Sequence, residues 1–267
     1  TLVERLPHLL PALKPCWMMS PLSVATFLPA DGELFDLVVF DEASQIGTED
    51  AVGAIARGQR LVVAGDERQL PPTRFFERVL ALDEEAPEDG VEDLPSVLEE
   101  CQAGPLPRLP LRWHYRSLDE SLITFSNEHF YDHSLVTFPH PARDATDVGI
   151  SFVHVADGVY EGGAGRSRTN PIEAATVAAR AFELLAVRPD ESVGIVTFST
   201  PQRDAVLDAL DALRAKTPRF DDRFDPAHPE PVFVKNLENV QGDERDVILF
   251  SVGYGPDEHG VFRLHLG

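Results

Sequence analysis

Two neighbouring acids, Asp41 and Glu42, close the apolar run at residues 37–40, and a third, Asp66, follows the run at 61–64 with Gln69 three residues on. A carboxylate held rigidly can orient a magnesium ion through its waters against the phosphates of a nucleotide. A second carboxylate beside it can position or deprotonate the water that attacks the terminal phosphate. On this chemistry Asp41 takes the metal role, through water, and Glu42 the role of general base. Asp66 and Gln69 supply what must stand next to the metal, a polar group that senses the phosphate. The competing reading of the Asp-Glu pair is a solvated acidic turn without chemistry.

Such side chains need strand ends to hold them. Short apolar runs bounded by turn signals read as strands buried on both faces of a parallel sheet, and such sheets bind ligands outside the carboxyl ends of their strands. Further runs at 191–199, 232–236 and 247–254 read the same way, 17–19 reads as a short buried strand, and the alternation at 149–155 predicts another. Helical patterns lie between them at 48–57, 75–82, 117–131, 171–185 and 201–214. Ser20 suits a cap before Pro21, and Asn170 with Glu173 suits a capping box. Strands alternating with helices make the chain α/β. His129 and His133 sit four apart, as ligands on a helix would, but no acidic partner in a matching motif accompanies them.

The 267 residues carry a net charge of −22, with only three lysines, Lys14, Lys216 and Lys235. That balance excludes a general polyanion binder, since phosphate contacts need clustered Lys and Arg. Residues 83–100 hold nine acids and no base, the composition of a solvated surface or loop. Two distant cysteines, Cys16 and Cys101, make no disulfide framework and fit a cytoplasmic chain with reduced thiols. No apolar run reaches the length that crosses a bilayer.

The strings VVFDEASQ at 38–45, VVAGDERQLPPT at 62–73, LRWHYRS at 111–117 and NVQGDERDVILFS at 239–251 resemble, in order and approximate spacing, motifs of superfamily 1 helicases. The nearest branch is that of the nonsense-mediated-decay RNA helicase. The resemblance implies a RecA-like fold: part of a first lobe at 1–82, an acidic linker at 83–106 and most of a second lobe at 107–267. It implies ATP and Mg2+ as cofactors and single-stranded DNA or RNA as the track. Asp41 and Asp66 would face the nucleotide, with Glu42 and Gln69 catalytic. Arg116 would be the arginine finger, a permanently charged fork reaching a phosphate bound by the other lobe. Gly242 would let backbone approach the nucleotide, and Glu244 would accept from a ribose hydroxyl. Ser20, Thr197, Thr200 and Gln241 would meet the nucleic acid, with caps and tight turns as the alternative account of each.

The same resemblance calls for a glycine-rich P-loop with its lysine and for a final arginine motif, and neither string occurs in this sequence. The expectation is therefore a fragment that needs the remainder of its polypeptide and does not itself hydrolyse ATP. Two rivals stay open: a non-hydrolysing helicase-like scaffold, and an unrelated magnesium phosphohydrolase that would leave HYRS and VQGDERD idle.

Overall fold

The computed structural model describes residues 5–6, 8–30, 32–72, 94–139, 149–163 and 165–262. Its contacts gather the chain into two compact units, Thr1–Ile150 and Ser151–Gly267. Residues 107–150, which the motif order groups with the later segment, belong to the first. The expected pattern at 75–82 and most of the acidic stretch lie outside the described residues.

In the first unit, strand β1 (Val38–Phe40) pairs in parallel with β2 (Leu61–Val63), Phe40 opposite Val63. Helices α1 (Leu9–Leu13), α2 (Pro21–Phe27), α3 (Thr48–Ile55), α4 (Val97–Ala103) and α5 (Ser121–Phe130) complete it. Phe40, Ala43, Ala51, Ala54, Val97 and Leu98 form the core, with Val38, Leu61 and Val63 packed against it. Burying side chains of this size stabilises by roughly 1.5–3 kcal/mol each. Alternate residues point the other way: Val39 and Val62 are 57% and 49% exposed. Among the described residues the core lies on one face of this two-stranded sheet, so the expectation of strands covered on both faces is not met there. The acidic stretch ends differently from a solvated loop as well, since Val97 and Leu98 of α4 are core residues.

The second unit has a three-stranded parallel sheet in the order β4 (Phe233–Asn236), β3 (Val193–Thr197), β5 (Val247–Ser251). Central β3 is buried at all five positions, as its apolar run requires. Helices α6 (Pro171–Val187) and α7 (Thr200–Arg214) flank it, and Ala174, Ala178, Ala181 and Leu185 pack with Ile195, Val206 and Leu210. The small alanine face of α6 lets helix and sheet approach closely. Asn170 caps α6 by accepting from the Glu173 N–H at 3.1 Å. The fold is α/β with parallel sheets flanked by helices, as a RecA-like domain requires.

Two expected strands are not strands. Residues 17–19 form no strand, with Met18 95% exposed and the Trp17 ring edge-on to Phe35 at 5.5 Å. Residues 149–155 alternate yet form no ladder, and Phe152 is 87% exposed. Periodicity names two faces; a strand also needs a neighbour to take its backbone hydrogen bonds.

Candidate functional site

Parallel pairing brings the ends of β1 and β2 together, so the Asp41–Glu42 turn and the turn 65–69 leave the same edge of the sheet. The ladder continues past the strands: the Ala64 N–H donates to the Phe40 carbonyl at 2.8 Å, and the Ala43 N–H to the Ala64 carbonyl at 3.0 Å. Gly65 sits where a Cβ would come within 3.0 Å of the Ala43 nitrogen and 3.1 Å of the Ser44 nitrogen. A side chain there would crowd the Ala43 and Ser44 backbone, so glycine suits the tight packing of the two turns.

Asp41 is exposed, and its Oδ1 accepts from the Glu42 N–H at 3.0 Å. Glu42 holds a left-handed backbone, φ 52° and ψ 40°, with its carboxylate 3.5 Å from Gln45 Nε2. A non-glycine residue in that region carries strain that the surroundings must hold, and such residues cluster at functional sites. The Ser44 and Thr48 hydroxyls are buried without hydrogen-bond partners among the described residues.

Asp66 is a hub. Its Oδ1 accepts from the Arg68 N–H at 2.9 Å, and its Oδ2 accepts from Gln69 Nε2 at 3.0 Å and from the Tyr131 hydroxyl at 2.6 Å. Burial, and after it the hydrogen bond to Asp66, push the Tyr131 phenol up to about 12. Close by, burial and the Glu67 carboxylate raise the Glu99 carboxyl above its ordinary value.

Arg116 is exposed, in the same unit, on a segment held by the parallel bridge between Trp113 and Val136. His114 Nε2 stands 2.8 Å from the Ser117 hydroxyl. Burial and the Arg116 charge lower its pKa and keep the imidazole neutral in that turn. Ser20 caps α2: its hydroxyl oxygen accepts from the Ser23 N–H at 3.2 Å.

The remaining expected residues belong to the second unit. Thr197 is wholly buried and its hydroxyl donates to the Ser199 carbonyl at 3.0 Å. Thr200 opens α7 and lies 3.5 Å from Asn236 Nδ2. Gln241 is half-buried, whereas Gly242 and Glu244 are exposed on the turn before β5. Gly242 has φ 85° with open space where a Cβ would stand, so conformation rather than crowding selects glycine there. Lys235 and Asp243 pair at 2.5 Å across the same turn.

The AAA domain family matches residues 95–261, which takes in both HYRS and VQGDERD. The chain belongs to this family of superfamily 1 helicase-like proteins. Among its relatives, the uncharacterized ATP-dependent helicase MG140 of Mycoplasma genitalium is 34% identical over 258 residues, covering 92% of this chain. The MG140 homolog of Mycoplasma pneumoniae is likewise 34% identical over 257 residues. The DNA replication ATP-dependent helicase/nuclease DNA2 of Saccharomyces cerevisiae is 34% identical over 102 residues, 38% of this chain and 6% of its own length. The chain spans 22% of the length of either Mycoplasma relative.

Within this helicase-like domain, sequence reasoning missed Tyr131 and the buried polar cluster of the second unit. There the Gln202 side chain accepts from the Asn170 N–H at 2.8 Å and donates to the Ser251 hydroxyl at 3.0 Å. Ser251 in turn donates to Glu173 Oε1 at 2.7 Å. Gln202 reads locally as one polar position on an amphipathic helix, and no nearby residue announces its partners. Tyr131 reads as the last apolar residue of a helix, and its partner lies 65 residues away.

Proposed function

We propose that this chain is the part of an ATP-dependent superfamily 1 helicase or translocase that presents the hydrolytic carboxylates, the phosphate sensor and the arginine finger. Its work is ATP hydrolysis coupled to movement along single-stranded DNA or RNA. The observation that carries the reading is the parallel pairing of β1 with β2, which puts the strained Glu42 beside the Asp66–Gln69 turn. Glu42 would act as base toward the attacking water, Gln69 as sensor and Arg116 as finger.

The donor set suits magnesium. Asp41 is exposed with one oxygen engaged by backbone, and no group of three or more His, Cys, Asp or Glu among the described residues would cage a metal. A magnesium ion held by one carboxylate through water, and otherwise by its waters and the phosphates, fits that arrangement. When bound, it neutralises charge developing on the phosphoryl oxygens. Gly242 and Glu244 would meet the nucleotide sugar. Ser20, Thr200 and Gln241 would line the strand, with Thr197 fixing the edge from beneath. The rest of the polypeptide would contribute P-loop amides, a lysine and a last arginine. The functional partition follows the motifs: 1–82, an acidic segment at 83–106, and 107–267. The two free thiols, Cys16 and Cys101, fit a cytoplasmic setting, and no described helix is long and apolar enough to cross a membrane.

ATP hydrolysis by the full-length protein, alone and with single-stranded DNA or RNA, tests the reading. Stimulation by either is expected and names the track. Absence of turnover in a protein with an intact P-loop would sink the motor and favour the scaffold.

A further inference from the structure

We infer that Tyr131 is a positioning residue for hydrolysis: its hydroxyl holds Asp66, thereby sets the Gln69 amide, and ties the Arg116-bearing segment to the sensor turn. The inference rests on the helicase reading above. The Tyr131 hydroxyl and Gln69 Nε2 donate to the same oxygen, Asp66 Oδ2, at 2.6 and 3.0 Å. The other oxygen takes the Arg68 N–H. With its oxygens so engaged, Asp66 fixes which end of the Gln69 side chain it faces. A hydroxyl-to-carboxylate bond this short belongs to the strong, charge-assisted class.

The tyrosine is itself tied to Arg116. After α5, Asp132 and His133 take positive φ values of 50° and 55° and turn the chain back. Asn127 then clamps Leu135 through both ends of its amide, at 3.1 and 3.0 Å. Val136 pairs with the segment before the finger through an isolated bridge: the His114 N–H donates to the Val136 carbonyl and the Val136 N–H to the Arg112 carbonyl. Residues 112–136 thus form a closed loop that carries Arg116 near one end and Tyr131 near the other. The Tyr131–Asp66 hydrogen bond joins that loop to the sensor turn. The phenol stays a donor throughout the physiological range, since its pKa lies at about 12.

Tyr131→Phe keeps the ring and removes only the donor. In the full-length protein, kcat for nucleic-acid-stimulated ATP hydrolysis should fall on the order of tenfold, with KM for ATP within about twofold. In a Gln69→Ala background the same change should cost clearly less than in wild type, because the route through the Gln69 amide has gone and only the tie to the Arg116 segment is left. Wild-type kcat in Tyr131→Phe, or a full additional loss in the Gln69→Ala background, overturns the inference. A second readout needs no turnover: with tyrosine labelled at 13Cζ, Asp66→Asn should move the Tyr131 titration down toward the ordinary value of about 10. An unmoved titration also overturns it. A wild-type protein that never hydrolyses ATP overturns the helicase reading and with it any hydrolytic role for Tyr131. Turnover in wild type with an unimpaired Tyr131→Phe overturns this inference alone.

Discussion

The two sheets end in opposite ways. Past β1 and β2 stand charged side chains, Asp41 and Glu42 exposed and Asp66 half-buried, held by turns a few residues long. At the ends of β4, β3 and β5 stand Asn236, Thr197 and Ser251, neutral and buried, in register across the sheet. Gln202, with no exposed surface, fills the space beside them and satisfies Asn170 and Ser251. Leaving a carboxylate in water costs no desolvation and keeps it available for a metal or a proton. Burying neutral amides with full sets of partners makes a rigid edge, stable only while every partner remains. Under the proposed function the first edge would meet a ligand, whereas the second holds its shape.

Substitutions should separate the two edges. The largest effect is expected from Glu42→Gln in the full-length protein: ATP binding persists while turnover falls by about 10²–10⁴-fold, as for loss of a general base. Unchanged turnover removes Glu42 from the mechanism. Next, Arg116→Ala should slow hydrolysis about 10³-fold with far less loss of nucleotide affinity. Equal losses in rate and affinity would make it a binding residue. Both variants should melt with wild type, since neither side chain is buried.

Gln202→Leu should do the reverse. It leaves the Asn170 N–H without its acceptor in a dry interior and takes one of two hydrogen bonds from Ser251, which keeps Glu173, at about 1–3 kcal/mol of stability read from the denaturant midpoint. A wild-type midpoint would break the comparison, because the second edge would then not depend on its buried network.

Asp246→Asn gives the smallest effect and sharpens the picture by pH. The Ser192 N–H, then the Ser192 hydroxyl, hold the Asp246 carboxyl below its usual value. A depressed folded pKa contributes stability above the unfolded value of about 4, and that stability is lost as pH falls through the folded one. The variant should therefore melt lower than wild type at neutral pH, with the gap closing in acid. A gap independent of pH would assign the effect to packing instead.

Much of the first edge was legible beforehand. Apolar runs ending in Asp41-Glu42 and Gly65-Asp66 are local patterns, and the physics that makes them strand ends is equally local. The Ser20 cap and the Asn170–Glu173 capping box were readable for the same reason, since each closes within three residues. The AAA-domain match and the helicase relatives agree with the family that four short strings had implied.

The sequence by itself determined the α/β class, the parallel strands, the acids at their ends and the helix caps, because periodicity and capping act over a few residues. Only the tertiary structure decided that Tyr131 reaches Asp66, that Gln202 joins Asn170 to Ser251, and that residues 149–155 pair with no strand among the described residues. Those outcomes depend on which distant group arrives to accept a hydrogen bond or cover a face. Nothing in a residue's own neighbourhood specifies that partner.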